Sequence, residues 1–449
     1  MDFESIKRLG LDHCNIDVNK SYEIFDPSTN NHIIHLYLLK DERLSCKECG
    51  SVDIKVKGSI TSNINYSSPL ENNITIILHK RQYRCNDCNK TFYQSNPIIS
   101  EGKNISIHKD FNILQALRDK NKTFTQVAKE FNVSTTYVQN LFDKKVSLRR
   151  LSLPTVLCID EVYSRRLTKH KYCCVLYAPQ WKKIVDILPS RHKLNLIDYF
   201  AKIPILEKDN VKFISMDLWD SYRDVAKLCL PKAKICADPF HVIKHLTECF
   251  RRIRIDVMKR YEHLKREQSN YYWLFKKYFK YLETDISNLP NGTIKVTHSG
   301  MYLSKYQIID YMLSVAPELK LAYELKEEYR SFNSVATIDN ALEMLDELII
   351  KFKTSNLKEY IPFWKILIKW HDEIINSFNR INGHKITNGP MERVNKDIKN
   401  LFTISFGSTN FERVRNRIMF CINEDAPILS YRKKTTNKRV GKPRGRYKK

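Results

Sequence analysis

No stretch of this 449-residue chain is apolar over the roughly 18 to 20 residues that a bilayer crossing needs, so a helical membrane protein is excluded. The N-terminus, MDFESIKRLGLDHC, carries acids where a secretion signal carries bases, and no apolar segment follows it. The expected setting is therefore the cytoplasm. Without a leader, the twelve Cys do not suggest disulfides. In a reducing compartment the paired ones read as metal ligands and the others as small core residues. Acidic residues are scarce, 50 Asp and Glu against 76 Lys and Arg, which gives a formal charge of +26. Such an excess attracts a polyanion, and nucleic acid is the usual one. Charge alone does not separate a DNA-binding protein from an RNA-binding one.

What the chain does contain is enough apolar material to fold. It is 42% hydrophobic and 11% aromatic, which argues against disorder, and its length suggests two to four domains. The segment HIIHLYLLK alternates as a strand does, and strand-like text fills the region between two Cys pairs. Residues 108–147 turn helical, and Pro154 marks a boundary. Beyond it TVLCID, KYCCVLYA, KIVDILP, VKFISMD and KAKICAD read as strands, with helices KLNLIDYFAKI and DSYRDVAKLCL among the later ones. That order predicts an α/β domain with a mixed sheet. Residues 241–380 read as helical throughout and hold no repeat, and the tail from Tyr431 is basic and aperiodic.

Two modules carry local signatures. Cys46-Lys-Glu-Cys49 and Cys85-Asn-Asp-Cys88 form a CxxC pair of pairs, with Gly50 after the first knuckle. Four thiolates on two knuckles bind one tetrahedral Zn²⁺, and with no open position that zinc would be structural. The intervening residues 50–84 exceed the compact spacing, so a hairpin or two is expected there. Downstream, Val127, Ala128 and Phe131 share one helix face, and Asn132 suits a left-handed turn that Val133 plugs. Ser134 can cap a second helix whose Val138, Leu141 and Phe142 point inward. This is the grammar of a helix-turn-helix, and Thr135, Thr136, Gln139 and Asn140 would then face DNA.

Three acids stand in distinctive surroundings: Asp160 in VLCIDEVY, Asp217 in VKFISMDLW and Glu392 in NGPMERVN. The first two end apolar β-branched runs, and the third lies on a helix starting near Pro390. Singly, each has an ordinary reading as a turn former or a solvated side chain. Gathered in one pocket they repel one another unless cations intervene, and two Mg²⁺ (or Mn²⁺) ions about 4 Å apart would support phosphodiester chemistry. Glu161 should point to the opposite face of its strand and is the weaker ligand. Asp238 and His241, in CADPFHVIKH, are possible neighbours of the site. A zinc pair of His241 with His245 is less expected than packing or a phosphate contact.

The segments ICADPFHVIKHL, VKFISMDLWDSYR and ITNGPMERVNKDIK resemble the signatures of DDE insertion-sequence transposases of the ISL-three type, and FGSTNFERVRNRI resembles the family's tail element. The resemblance runs from Cys46 to about residue 425. It implies a multidomain α+β protein: a zinc-binding module at 1–100, a helix-turn-helix at 101–150, and an RNase H-like catalytic domain at 151–240 and 381–430. An all-helical insertion at 241–380 would interrupt that domain, and a flexible basic tail at 431–449 would follow. The DDE triad falls on Asp160, Asp217 and Glu392. The implied activity is Mg²⁺-dependent strand cleavage and strand transfer, with double-stranded DNA, both terminal inverted repeats and target, as partner. A homodimer or higher oligomer would be needed for synapsis, in a bacterial cytoplasm on the nucleoid. Trp273 is either a core residue of the insertion or a platform for a displaced base. The alternatives are a non-catalytic DNA-binding regulator derived from a transposase, against which an intact triad weighs, and a structure-specific RNase H-like nuclease.

Overall fold

The computed structural model of the chain describes residues 1–27, 31–40, 44–46, 48–67, 74–99, 104–164, 167–168, 170–263, 269–289, 291–296, 300–405 and 410–429. Two compact units are present. The first comprises residues 1–149 and the chain from Glu412 onward; the second comprises residues 150–402, and 403–411 are divided between them.

The first unit opens with α1 (Phe3–Arg8) and five strands: β1 (Tyr22–Asp26), β2 (Asn31–Tyr37), β3 (Ile54–Tyr66), β4 (Ile74–Cys85) and β5 (Thr91–Tyr93). Their order is β1-β2-β4-β3, with β5 on β4. The expected hairpin between the Cys pairs is the long antiparallel β3–β4 ribbon, which joins Ile54 to Cys85 at one end and Tyr66 to Ile74 at the other. Alternation buries Ile34 and Leu36 on β2, Ile64 and Tyr66 on β3, and Ile76 and Leu78 on β4 in one core. Three helices follow, α2 (Ile107–Ala116), α3 (Phe124–Glu130) and α4 (Thr135–Lys145). Thr123 and Gln126 form a capping box at the start of α3, and the Ser134 hydroxyl accepts from Tyr137 N–H at the start of α4. Between them Asn132 takes φ +48°, the left-handed conformation that Asn tolerates better than most residues. Val127, Ala128, Phe131, Val138, Leu141 and Phe142 are buried together.

The second unit is organised on strands β6 (Val156–Tyr163), β7 (Tyr172–Ala178) and β8 (Lys183–Leu188), helices α5 (Lys193–Ala201) and α6 (Ile205–Lys208), then β9 (Phe213–Met216), α7 (Asp220–Cys229) and β10 (Lys234–Ala237). The sheet order is β10-β9-β6-β7-β8. The first three strands form an antiparallel meander, while β9 and β10 run parallel to β6. Leu157 and Ile159 of β6 join Leu176, Phe200, Ile214, Tyr222 and Val225 in a core on one face of the sheet.

From α8 (Pro239–Arg260) the unit becomes helical: α9 (Ser269–Glu283), α10 (Lys305–Leu313), α11 (Pro317–Val335), α12 (Ala341–Thr354), α13 (Ile361–Lys369) and α14 (His371–Asn376). The expectation of an all-helical block needs one correction, because β11 (Thr293–Lys295) and β12 (Tyr302–Ser304) pair as a short hairpin before α10. Gly292, at φ +115°, supplies a backbone conformation that no helix can accommodate at the entry to β11. The helices share a core that includes Phe250, Phe275, Met312, Tyr329 and Phe363. A two-stranded ribbon, β13 (Arg380–Ile381) and β14 (His384–Lys385), turns through Asn382 and Gly383, both at positive φ, and leads into α15 (Gly389–Ile404).

The last helix, α16 (Phe411–Ile422), was expected beside the Glu392 helix. From Glu412 onward it belongs instead to the first unit. Phe420 is fully buried and meets Phe142 of α4 edge to face, with ring centroids 5.8 Å apart. The Arg118 guanidinium lies 4.1 Å from the Phe420 ring and donates to the carbonyls of Phe420, Glu424 and Ala426. Arg413 grips the Asp143 carboxylate at 2.6 to 3.1 Å, and buried Arg417 donates to the carbonyls of Asp119 and Lys122. The α2–α4 core is thus closed by a helix that arrives almost three hundred residues later. Among the described residues no helix is long and apolar enough to cross a membrane. The basic tail expected from Tyr431 lies outside the described residues.

Phe420→Ala should cost about 3–5 kcal/mol in the stability of the first unit, the usual loss for a buried aromatic ring. Denaturant unfolding followed by a probe in α2–α4 measures this. A loss below about 1 kcal/mol would show that α16 is not part of that core.

Candidate active site and metal clusters

The acidic site lies where the parallel part of the central sheet ends. Asp217 directly follows β9, and β9 pairs with β6 only as far as Ile159–Met216. Asp160 was expected at the end of its strand; β6 instead runs on to Tyr163 against β7. What ends at Asp160 is the pairing with β9, and that opening is what lets the carboxyl reach Asp217. Carboxylate oxygens of Asp160, Glu161 and Asp217 all lie within 4.8 Å of one another.

Glu161 therefore belongs to the cluster, against the expectation from strand alternation. Asp160 Oδ1 accepts from the Glu161 backbone N–H at 2.7 Å, which folds the short Asp160 side chain back along the strand. Residues on opposite faces of β6 thus meet over its edge. Glu161 is held from its own side by Arg191 Nη1 at 2.5 Å and by the Tyr222 hydroxyl at 3.2 Å. Arg191 in turn lies over the rings of Tyr172 and Trp219.

A second triplet shares Asp217. Asp238, at the start of α8, and His241, one turn along it, offer ligand atoms within 4.8 Å of Asp217. His241 Nδ1 lies 3.0 Å from Asp238 Oδ2 and 3.0 Å from Asp217 Oδ1. Only the first contact is aligned as a hydrogen bond, so buried Asp217 Oδ1 keeps the charge of the imidazole nearby yet receives no directed donor. Asp238 is itself almost fully buried and accepts from the Thr387 hydroxyl and the Asn388 N–H. His245 is not part of either triplet.

Glu392 stands on the exposed side of α15 and joins neither triplet among the described residues. Its helix is nevertheless fastened to the site. Asn395 Nδ2 donates to Asp160 Oδ2 at 2.5 Å, and Asn388 Nδ2 donates to the Ile159 carbonyl at 3.3 Å. Neither amide was singled out in the sequence. The nearest signal was their position in the NGPMERVN segment around Glu392.

Burial pushes the Asp160 carboxyl up to about 7, assisted by the negative charge of Asp217 and only partly offset by the donors from Glu161 and Asn395. Burial also raises Glu161, against the pull of Arg191. For His241 burial acts downward, but the two carboxylates outweigh it and hold the imidazole up at about 10. The site therefore retains protons at neutral pH because its negative charges are crowded and dry. A divalent cation relieves the same crowding.

The first unit holds a separate cluster. Sγ atoms of Cys46, Cys49, Cys85 and Cys88 all lie within 4.8 Å. Cys46 and Cys88 are 3.5 Å apart and Cys49 and Cys85 3.6 Å, too far for disulfides and close to the roughly 3.8 Å edge of a tetrahedron of 2.3 Å zinc–sulfur bonds. The two knuckles repeat one geometry, each closing on a residue of positive φ, Gly50 and Asn89. N–H groups of Cys49 and Glu48 lower the Cys46 thiol to about 7, and those of Cys88 and Asp87 lower Cys85. Against the N–H groups of Ser51 and Lys90, burial and the neighbouring thiols push Cys49 up to about 12 and raise Cys88. A cation bound by all four would favour the thiolate form of each. The four residues fit a structural Cys₄ site.

Of the residues expected to face DNA, Thr136 and Asn140 are exposed on α4, and Thr135 and Gln139 are half-buried beside them. Trp273 is 38% exposed, and the Lys276 ammonium lies 5.1 Å from its ring.

Residues 157–418, more than half of the chain, match the family of DDE transposases of the ISL3 type, described as transposase. The chain belongs to this transposase family. The chain also resembles the transposase for insertion sequence element IS1001 of Bordetella parapertussis, with 21% identity over 237 residues. That match covers 51% of this chain and 57% of the relative, so the chain spans little more than half the relative's length. The family match encloses Asp160, Asp217, Asp238, His241, Glu392 and Asn395, all of which lie in the second unit.

The raised Asp160 value sets a direction for stability. An Asp near 4 when unfolded and about 7 when folded stabilises the fold below about pH 4, and that contribution disappears as pH rises through 7. In the presence of a chelator, Asp160→Asn should melt several degrees above the unsubstituted protein at pH 8 and close to it at pH 5. Equal melting of the two proteins at pH 8 would refute the buried-charge account.

Proposed function

We propose that this transposase binds the terminal inverted repeats of its element and cuts and joins DNA through Asp160, Asp217 and Glu392. The observation that carries the reading is the meeting of Asp160 and Asp217 where the parallel pairing of β6 with β9 ends, with the Glu392 helix fastened to Asp160 through Asn395. An antiparallel meander extended by two parallel strands is the sheet order of an RNase H-like domain, and it supports assigning residues 151–240 and the Glu392 helix to one catalytic domain, with the helical block as an insertion.

The donor set is all oxygen at its centre, one oxygen of Asp217 is buried without a directed donor, and burial with the nearby Asp217 charge pushes the Asp160 carboxyl up to about 7. These features fit hard divalent cations, Mg²⁺ or Mn²⁺, held by Asp160, Asp217 and Glu392. When bound, such ions lower the pKa of water or of a 3′-hydroxyl and stabilise the leaving oxygen. The protein's own part is to hold three carboxylates within reach, to counter Asp217 and Asp238 with His241, and to keep Glu161 occupied by Arg191 and Tyr222. The Cys₄ cluster would hold one structural Zn²⁺. The α3–α4 pair would act as a helix-turn-helix, presenting Thr136 and Asn140 with Thr135 and Gln139 to the DNA grooves. A net charge of +26 supports long contact with phosphate. Pairing two element ends requires at least two copies of the protein, in the bacterial cytoplasm where its DNA lies.

Asp217→Asn should reduce strand cleavage at least about a thousandfold while leaving binding of inverted-repeat DNA within about twofold. Loss of both together in a gel-shift and cleavage assay would contradict the division between the two units. Cys46→Ser with Cys49→Ser should remove one zinc per chain by elemental analysis and weaken end binding. Full end binding by a zinc-free double variant would exclude the module from recognition.

A further inference from the structure

Glu392 lies on an exposed helix face and belongs to neither carboxylate triplet, so its distance from the sheet must be set by groups beside it. Two amides flank it. Asn388, just before α15, donates to the Ile159 carbonyl at 3.3 Å, and Asn395, within α15, donates to Asp160 Oδ2 at 2.5 Å. Ile159 and Asp160 are consecutive on β6, so both amides engage one short segment of one strand. At roughly 100° per helical residue, Asn395 and Glu392 lie about 60° apart around the α15 axis and one turn apart along it. Glu392 therefore lies between the two attachment points along the helix, about a sixth of a turn around from the buried face that carries Asn395.

Both amides are buried, Asn388 at 3% and Asn395 at 8% exposure. Each uses its NH₂ group on the strand, and each leaves a buried carbonyl oxygen without a hydrogen-bond donor. A buried amide that is only half satisfied is costly as a packing residue. An apolar side chain of similar size would hold the helix against the sheet at less cost. What the amide adds is direction. It fixes the Asp160 carboxylate through Oδ2 while the Glu161 N–H fixes it through Oδ1, so the carboxylate has one orientation and one remaining lone pair on each oxygen.

We propose that Asn395 is a positioning residue that couples the Glu392 helix to Asp160, fixing both the orientation of the Asp160 carboxylate and the reach of Glu392. This inference rests on the proposed role of Asp160 and Glu392. Asn395 touches no reacting atom; it acts through Asp160, as outer groups do when they orient the ligands of a metal. Asn388 sets the phase of the helix by holding its first turn to the strand and, through its backbone N–H, to Asp238.

The test uses the full chain carrying Asn395→Leu, which keeps the bulk and removes the donor, and Asn395→Asp, which keeps the shape and reverses the role of the inner atom. Asp160→Asn serves as the reference for loss of the site. Cleavage of inverted-repeat DNA is measured against Mg²⁺ and Mn²⁺ concentration, alongside end binding and melting temperature. Asn395→Leu should raise the half-saturating Mg²⁺ concentration about tenfold or more, the scale of losing an orienting outer group. Melting and end binding should stay as in the unsubstituted protein, and Mn²⁺ should recover part of the cleavage. Asn395→Asp should likewise shift the cation requirement without loss of end binding. Asn395→Leu with an unchanged Mg²⁺ requirement, beside an inactive Asp160→Asn, overturns the coupling alone. Asn395→Leu that loses melting temperature and end binding together, with the Mg²⁺ requirement unchanged, shows a packing residue and also overturns it. An active Asp160→Asn overturns the site reading and this inference with it.

Discussion

Like-charge repulsion at the end of one sheet is the constraint around which the second unit is arranged. Asp160, Glu161 and Asp217 bring carboxylate oxygens within 4.8 Å of one another in a setting dry enough to hold Asp160 near 7. At such distances and in partial burial, unscreened repulsion exceeds the worth of any single hydrogen bond. Each neighbouring element answers it: α8 contributes His241, the loop before α5 contributes Arg191, α7 contributes Tyr222, and α15 contributes the Asn395 amide. None of these groups balances the charge completely. The residue is a site that favours a cation and that would hold protons in its place.

The helical block takes its meaning from the same arrangement. Its first helix starts at Asp238 and carries His241 into the site, and the ribbon β13–β14 that follows it returns the chain to Thr387 and Asn388, which meet Asp238. Whatever else the block does, its two ends are tied together by one buried carboxylate. A long insertion is tolerated in a fold when its ends are close, because the cost of closing the loop rises only slowly with length.

Much of this was legible in the sequence, and the limits have physical causes. The strands of the second unit were visible because buried parallel strands are continuous β-branched runs, as in VLCI and KFISM. The Cys knuckles were visible because two-residue spacing is a geometric demand of thiolate ligation, and Asn132 because few residues accept φ +48°. The end of β6 was placed too early, since the polar Glu161 and Tyr163 look like a loop although β7 still pairs with them. Glu161 was set aside on alternation alone, which does not register that Asp160 bends back over its own peptide. Asn388 and Asn395 carried no pattern at all: an amide's importance depends on what it faces, and only tertiary structure brings Ile159 and Asp160 to them. The placement of α16 was missed for the same reason, because an amphipathic helix announces a buried face without saying against what.

That placement of α16 bears on the order of synthesis. Phe420, Ala426 and Ile428 are needed to close the core of α2–α4, yet they emerge from the ribosome after the whole second unit has been made. The second unit can therefore fold first, while the N-terminal helices still lack a wall. Until the last helix is translated, the core of α2–α4 is incomplete, so a truncated or unfinished chain would carry the unit proposed to cut without the part proposed to aim it.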